Sequence, residues 1–344
     1  MVQYVLKAPR QIEACAAETA APTGTEVLLR VHHIGICGSD IHLFKGSYSA
    51  PHSYPMLFGH EWAGTVAAVG ERVSKVAPGD LVTGDCSRYC DACENCKTDK
   101  NLCSRIEKFG ITIDGASAEY IVRDEKYLYK APEGIRDELL CLAEPVAVAS
   151  HLLEKVQRAL RGGFKGQNIL VLGGGVIGMS AAMLLRHAEG CETVSLYDLS
   201  SRRVQVAASA GMRIPAADEL APQTGGADYA SMYAGAKYDI VLETTGVAPV
   251  FANALNLVKP GGILGCVGMI DQVKIAQKLI VTKALTILGS IGGTGNFGKS
   301  MDFLCKYPQY AERLISQHFP ISEFETAFET ACDPEKSMKI VFDL

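Results

Sequence analysis

The chain has 344 residues, more than one hydrophobic core usually supports, so two domains are expected. Hydrophobic residues make up 48% and charged residues 21%, the balance of an ordinary globular protein and not of a disordered or fibrous one. A formal net charge of -5 provides no basic field for phosphate backbones, which argues against nucleic acid as a partner.

In chain order, the opening MVQYVLKAPRQIEAC lacks a basic region followed by an apolar stretch and a small-residue cleavage site. A cytoplasmic location is therefore expected, with the twelve cysteines mostly reduced. GICGSDIH follows, and then GHEWAG after the loop FKGSYSAPHSYP. Cys37, His60 and Glu61 in these segments supply a thiolate, an imidazole and a carboxylate. Three protein ligands with one open position are the composition of a catalytic zinc site. Taken singly, a cysteine is commonly a small core residue and a histidine a hydrogen-bonded one; the combination with the next segment changes that balance.

RYCDACENCKTDKNLC holds Cys90, Cys93 and Cys96 at C-x2-C-x2-C spacing, with Cys103 seven positions further on. Short spacers let three thiolates converge while the loop returns with the fourth, which suits closed, tetrahedral, structural zinc. An iron–sulfur run would place its fourth cysteine closer and before proline, whereas Ser104 follows here. A closed four-thiolate site has no open position for substrate, so chemistry is expected elsewhere.

The most apolar run, residues 169–185, falls short of a membrane span and is expected to be a buried strand turning into a buried helix. Gly173, Gly175 and Gly178 fit G-x-G-x-x-G at that turn, with Val176 and Ile177 opening the helix. Glycine there permits a tight turn and close approach of backbone amides to a pyrophosphate. A second strand, TVSLYD, ends in Asp198, twenty residues past Gly178. Its carboxylate can accept hydrogen bonds from both ribose hydroxyls and would repel a 2'-phosphate, so NAD is preferred to NADP. Arg203 lies nearby and could either stack on adenine or tolerate a phosphate, so the preference is not absolute. YDIVLETTG and GGILGCVGM continue the alternation of a parallel sheet, and the glycine-rich LGSIGGTG is expected to return the chain to the first lobe. The remaining cysteines, Cys86 among them, are scattered without ligand spacing and read as small core or surface residues.

GICGSD, GHEWAGTVAAVG, PGDLV, the four-cysteine loop, GASAEY, AEPVAVA and VLGGGVIG occur in an order that resembles the zinc-dependent medium-chain dehydrogenases of the alcohol dehydrogenase superfamily, on their polyol (sorbitol-type) and threonine dehydrogenase side. The resemblance implies an α/β protein with a GroES-like, β-rich catalytic domain, residues 1–152 and 290–344, and an inserted Rossmann domain, residues 153–289, of doubly wound parallel sheet. It implies that Cys37, His60 and Glu61 belong to the catalytic zinc and that Glu144 of AEP ligates the metal or holds its water. It also implies a proton relay through Ser39 and His42, and a homodimer or homotetramer. The expected reaction is oxidation of a secondary alcohol of a polyol, cyclitol or aminocyclitol by NAD. Two other readings stand beside it: an amino alcohol such as threonine as substrate, and a non-catalytic, NAD-sensing zinc protein. Trp62 with the FKGSYSAPHSYP loop leaves open a ring-shaped cyclitol or aminocyclitol as well as a linear sugar alcohol, and Trp62 equally reads as plain core packing.

Overall fold

The computed structural model describes residues 1–160, 162–221, 228 and 233–344. These gather into two compact units, Met1–Ala147 with Gly292–Leu344, and Val148–Ile291. Among the described residues no helix is long and apolar enough to cross a membrane.

The first unit is β-rich. Its largest sheet runs Leu128–Lys130, Leu81–Gly84, Glu61–Val69, Glu26–Gly35, Lys339–Asp343 and Ile315–Pro320, and Tyr120–Asp124 also pairs with Glu26–Gly35. The alternation of apolar and polar residues sets which face is buried. In Glu26–Gly35, Val27, Leu29 and Val31 point inward while Arg30 points to solvent, the two-residue period of a half-buried strand. The core they join includes Phe58, Trp62, Phe328 and Phe342. Trp62 is 2% exposed and packs so tightly on Gly84 that a Cβ there would lie 2.5 Å from its ring. Of its two sequence readings, the structure supports core packing.

A smaller satellite of the same unit holds the four-cysteine loop, where Tyr89, Phe109 and Tyr127 pack around Cys96 and Cys103. Within that loop Asn101 acts as a clamp. Its Oδ1 accepts from the Thr294 amide at 3.0 Å, and its Nδ2 donates to the Thr294 carbonyl at 3.2 Å. Gly292 makes room for this: its φ is +69°, and a Cβ would sit 2.2 Å from Asn101 Oδ1. The Thr294 hydroxyl in turn donates to Asp85 Oδ1 at 2.9 Å.

The second unit carries a parallel sheet in the order Thr193–Tyr197, Asn168–Leu172, Tyr238–Glu243, Val258–Cys266, Thr286–Gly289. Ile169 to Leu172 are all buried, the unbroken apolar run of a strand covered on both faces. Asn168–Leu172 pairs on one side with the strand that follows it and on the other with a later one, so the strand order reverses at its carboxyl end. Such a switch point is where open α/β sheets bind ligands.

Candidate active site

Cys37 follows the end of the strand Glu26–Gly35 and caps the helix Gly38–Lys45. Its amide donates to Asp40 Oδ2 at 2.8 Å, which fixes the start of the helix. Asp40, 1% exposed, also accepts from the Gly59 amide at 3.2 Å and faces His60 Nδ1 at 3.8 Å. The other ring nitrogen of His60 lies 3.4 Å from Ser39 Oγ. A carboxylate behind a histidine is the arrangement that orients a metal ligand. Burial opposes charging His60, yet the facing Asp40 and Cys37 outweigh it and hold the imidazole up to about 10. Burial pushes the Asp40 carboxyl up.

Glu61 opens the strand Glu61–Val69, directly after His60. Its Oε2 pairs with Lys339, and both side chains are buried. Lys339 also donates to the Ile36 carbonyl at 2.8 Å. Burial alone would lower the lysine; the Glu61 carboxylate more than reverses that and holds it up. Gly35 lets the pair form, since a Cβ there would lie 2.5 Å from Glu61 Oε2.

The donor atoms of Cys37, His60 and Glu61 lie within 4.8 Å of one another. A thiolate, an imidazole and a carboxylate at that spacing suit zinc with a position left open. Glu144 stands in the first turn of the helix Ala143–Ala159, 5% exposed, outside that three-donor group but close enough for its charge to act on His60. Burial raises its carboxyl, against the pull of His60. Ser39 and His42 lie one turn apart on one helix. His42 is exposed and bonds Ser47 at 2.9 Å.

Several neighbours carry no ligand spacing in the sequence. Cys86, read there as a scattered core or surface residue, hydrogen-bonds Glu144, and burial pushes its thiol well up. Lys108 donates to the buried Ser87 hydroxyl at 2.6 Å and acts electrostatically on Asp85, Cys86 and Glu144. Tyr48, in the FKGSYSAPHSYP loop, has its phenol pushed up by burial and by Cys37 and Asp40. Lys339 lies 278 residues from Glu61, beyond any local signal, whereas Asp40, three residues after Cys37, has the position of a capping acid.

The second metal candidate is separate. Cys93 Sγ lies 3.4 Å from Cys96 Sγ and 3.9 Å from Cys103 Sγ, and Cys90 Sγ is 3.9 Å from Cys96 Sγ. A tetrahedron with metal–sulfur bonds of about 2.3 Å has edges of about 3.8 Å, so the four thiols already hold zinc spacing. The Ser104 amide and hydroxyl bring Cys93 down to about 5, while burial lifts Cys96 to about 12.

In the second unit, Gly173 follows the strand Asn168–Leu172 with φ +101°, and a Cβ on Gly178 would lie 2.0 Å from the Gly173 carbonyl oxygen. Space above Gly175 is open, and Val176 and Ile177 begin the helix Val176–Met183. Asp198 Oδ2 accepts from the Gly174 amide at 2.6 Å, and Oδ1 from the Ser200 amide at 2.8 Å. The carboxylate is thereby held beside the glycine turn with lone pairs to spare. Arg203 lies 3.4 Å from it, with a buried Nε that has no hydrogen-bond partner. These residues fit a dinucleotide.

Residues 23–133 match the family described as Alcohol dehydrogenase GroES-like domain, and residues 138–344 that described as Glucose dehydrogenase C-terminus. L-threonine 3-dehydrogenase of Coxiella burnetii (strain RSA 493 / Nine Mile phase I) is 30% identical, covering 91% of this chain and 90% of its own. Sorbitol dehydrogenase of Halalkalibacterium halodurans is 28% identical, covering 89% and 88%. The solved alcohol dehydrogenase of Thermus sp. ATN1 superposes with a TM-score of 0.84 at 25% identity, over 100% of both chains.

Proposed function

The chain belongs to the zinc-dependent medium-chain dehydrogenases, NAD(P)-dependent alcohol oxidoreductases, and from that premise we propose that it oxidises a secondary alcohol of a polyol, cyclitol or aminocyclitol to a ketone, with NAD as acceptor. The convergence of Cys37, His60 and Glu61 within 4.8 Å carries this reading. It supports a metal site with an open position, distinct from the closed four-thiol loop.

Cys37, His60 and Glu61 would hold the catalytic zinc, Glu144 would face its open position, and Cys90, Cys93, Cys96 and Cys103 would hold the structural one. When bound, zinc acidifies the alcohol and NAD accepts the hydride from the carbinol carbon. The chain's own residues do the rest. Asp40 orients His60, and Lys339 neutralises Glu61. Ser39 Oγ, beside His60, would accept the alcohol proton as its own hydroxyl proton passes on, and the exposed His42 on the same helix would return a proton to water. Gly173, Gly175 and Gly178, with Val176 and Ile177, leave backbone open to the pyrophosphate. Asp198 takes the adenosine ribose hydroxyls, and Arg203 flanks the adenine side. The edge strand Thr286–Gly289, with Ile287 exposed, is our proposed contact for a homodimer or homotetramer.

An amino alcohol is the second reading, favoured by the 30% identity to a threonine dehydrogenase. One experiment separates them: NADH formation with linear polyols, cyclitols, aminocyclitols, threonine and simple alcohols, repeated after chelation and zinc restoration. Zinc-restorable turnover on the polyol or cyclitol class upholds the proposal. Turnover confined to threonine replaces it with the second reading.

A further inference from the structure

In the β-rich unit, three neighbouring strands bring a third set of metal-binding side chains together. Asp343 pairs directly with His33 across the antiparallel strands Lys339–Asp343 and Glu26–Gly35. On its other side it pairs with Pro320 in the parallel strand Ile315–Pro320, and His318, two residues earlier, shares the face of Pro320. The register therefore places two imidazoles on either side of one carboxylate.

The side chains converge as the register requires. His33 Nδ1 lies 2.8 Å and His318 Nδ1 3.0 Å from the same oxygen, Asp343 Oδ1. The three donor atoms lie within 4.8 Å of one another. Two metal–ligand bonds of about 2.0 Å at a right angle span about 2.9 Å, which is the distance of each imidazole nitrogen from the Asp343 oxygen. Behind them is an orienting layer. His33 Nε2 faces Asp137 Oδ2 at 3.8 Å, and His32 Nδ1 holds that same oxygen at 2.6 Å. Asp137 Oδ1 is buried with no hydrogen-bond partner. A carboxylate behind a ligating histidine fixes its tautomer and raises its basicity.

We propose that His33, His318 and Asp343 form a third metal site, for a divalent transition-metal ion of the zinc or nickel type. Two imidazoles and one carboxylate match the preference of those ions and not of calcium or magnesium, which take oxygen ligands. The donors are 19%, 36% and 44% exposed, so the ion enters from solvent and keeps water in its remaining positions. Bound there, it ties the C-terminal strand Lys339–Asp343 to both of its neighbours. In the metal-free state each ring meets Asp343 through Nδ1; when the metal takes the Nδ1 lone pairs, each ring carries its one proton on Nε2, which for His33 faces Asp137.

The test is calorimetric titration of zinc-replete protein with Zn2+, and in parallel with Ni2+. The expected result is one further equivalent per chain, together with slower amide exchange in Lys339–Asp343. His318→Ala and Asp343→Asn should each weaken that equivalent at least tenfold while the zinc already bound and the turnover stay as in the parent. Absence of a further equivalent overturns the proposal. So does a further equivalent that both variants bind as tightly as the parent.

Discussion

Lys339→Met removes the cation facing the buried Glu61 carboxylate while keeping most of the apolar length of the side chain. Both groups are nearly inaccessible, at 3% and 1% exposure, so water cannot replace the lost partner. Breaking one side of a buried ion pair costs about 3–5 kcal/mol, because the remaining charge stays desolvated. At about 1.4 kcal/mol per tenfold, the unfolding equilibrium should shift by roughly 140- to 3,700-fold. The loss of the bond to the Ile36 carbonyl adds to this. Urea unfolding followed by tryptophan fluorescence reads the right unit, since the only tryptophan, Trp62, is buried in it beside Glu61. A chain of two compact units need not unfold in one step, and a local probe avoids mixing them. The paired variant Glu61→Gln/Lys339→Met should recover most of the loss, with a coupling of at least about 2 kcal/mol. Parent and variants should be compared with the Cys37, His60 and Glu61 site free of zinc, because an ion held there would itself compensate the Glu61 carboxylate and Glu61→Gln would remove a ligand. A loss under about 1 kcal/mol in the single variant, or simple additivity in the pair, would refute the reasoning.

Cys37→Ala should lose one zinc per chain and turnover while circular dichroism stays unchanged; full activity would remove Cys37 from the catalytic site. Cys96→Ala should instead lower thermal stability, since structural zinc contributes directly to folding, and an unchanged melting temperature would count against that. Asp198→Ala should narrow the preference for NAD over NADP in kcat/KM, whereas an unaltered ratio would show that the carboxylate does not meet the ribose. Glu125 accepts from the Ser74 and Lys75 amides at 2.8 Å, and these donors lower its carboxyl pKa. Its contribution to stability is complete above the ordinary value of 4.5 and disappears as pH falls through the lowered folded value, so Glu125→Gln should flatten that limb of the stability–pH curve.

What was legible in the sequence was what lies close together in it. The four thiols of residues 90–103 and the glycine turn at Gly173–Gly178 are local motifs whose spacing carries their geometry. The Cys37, His60 and Glu61 group spans a loop and was legible through residue type and family order. Groups that meet only through strand pairing left no trace. Lys339 reaches Glu61 because its strand lies beside Glu26–Gly35, and His318 reaches Asp343 through a parallel pairing. Cys86 looked like a stray small residue because the sequence does not show that Glu144 stands over it. Burial follows the same division. Alternation in Glu26–Gly35 announces its inner face, but nothing local marks Asp40 and Lys339 as polar groups wholly enclosed in the core.

The Asn101 clamp changes how metal-stripping experiments on this enzyme should be interpreted. Asn101 belongs to the four-cysteine loop, and through Thr294 it bears on Asp85, which also accepts from the Ser87 amide at 2.9 Å and the Tyr129 hydroxyl at 3.1 Å. Asp85 adjoins Cys86, the partner of Glu144. The loop is thus tied by hydrogen bonds to the segment that carries Cys86, and an ion held by its four thiols would brace that segment. Inactivation by a chelator alone therefore would not assign catalysis to the Cys37, His60 and Glu61 site, because loosening the four-thiol loop is expected to reach Glu144 through Asp85 and Cys86. Only a side-chain replacement confined to one set of ligands, such as Cys37, separates an ion that does chemistry from one that braces the segment.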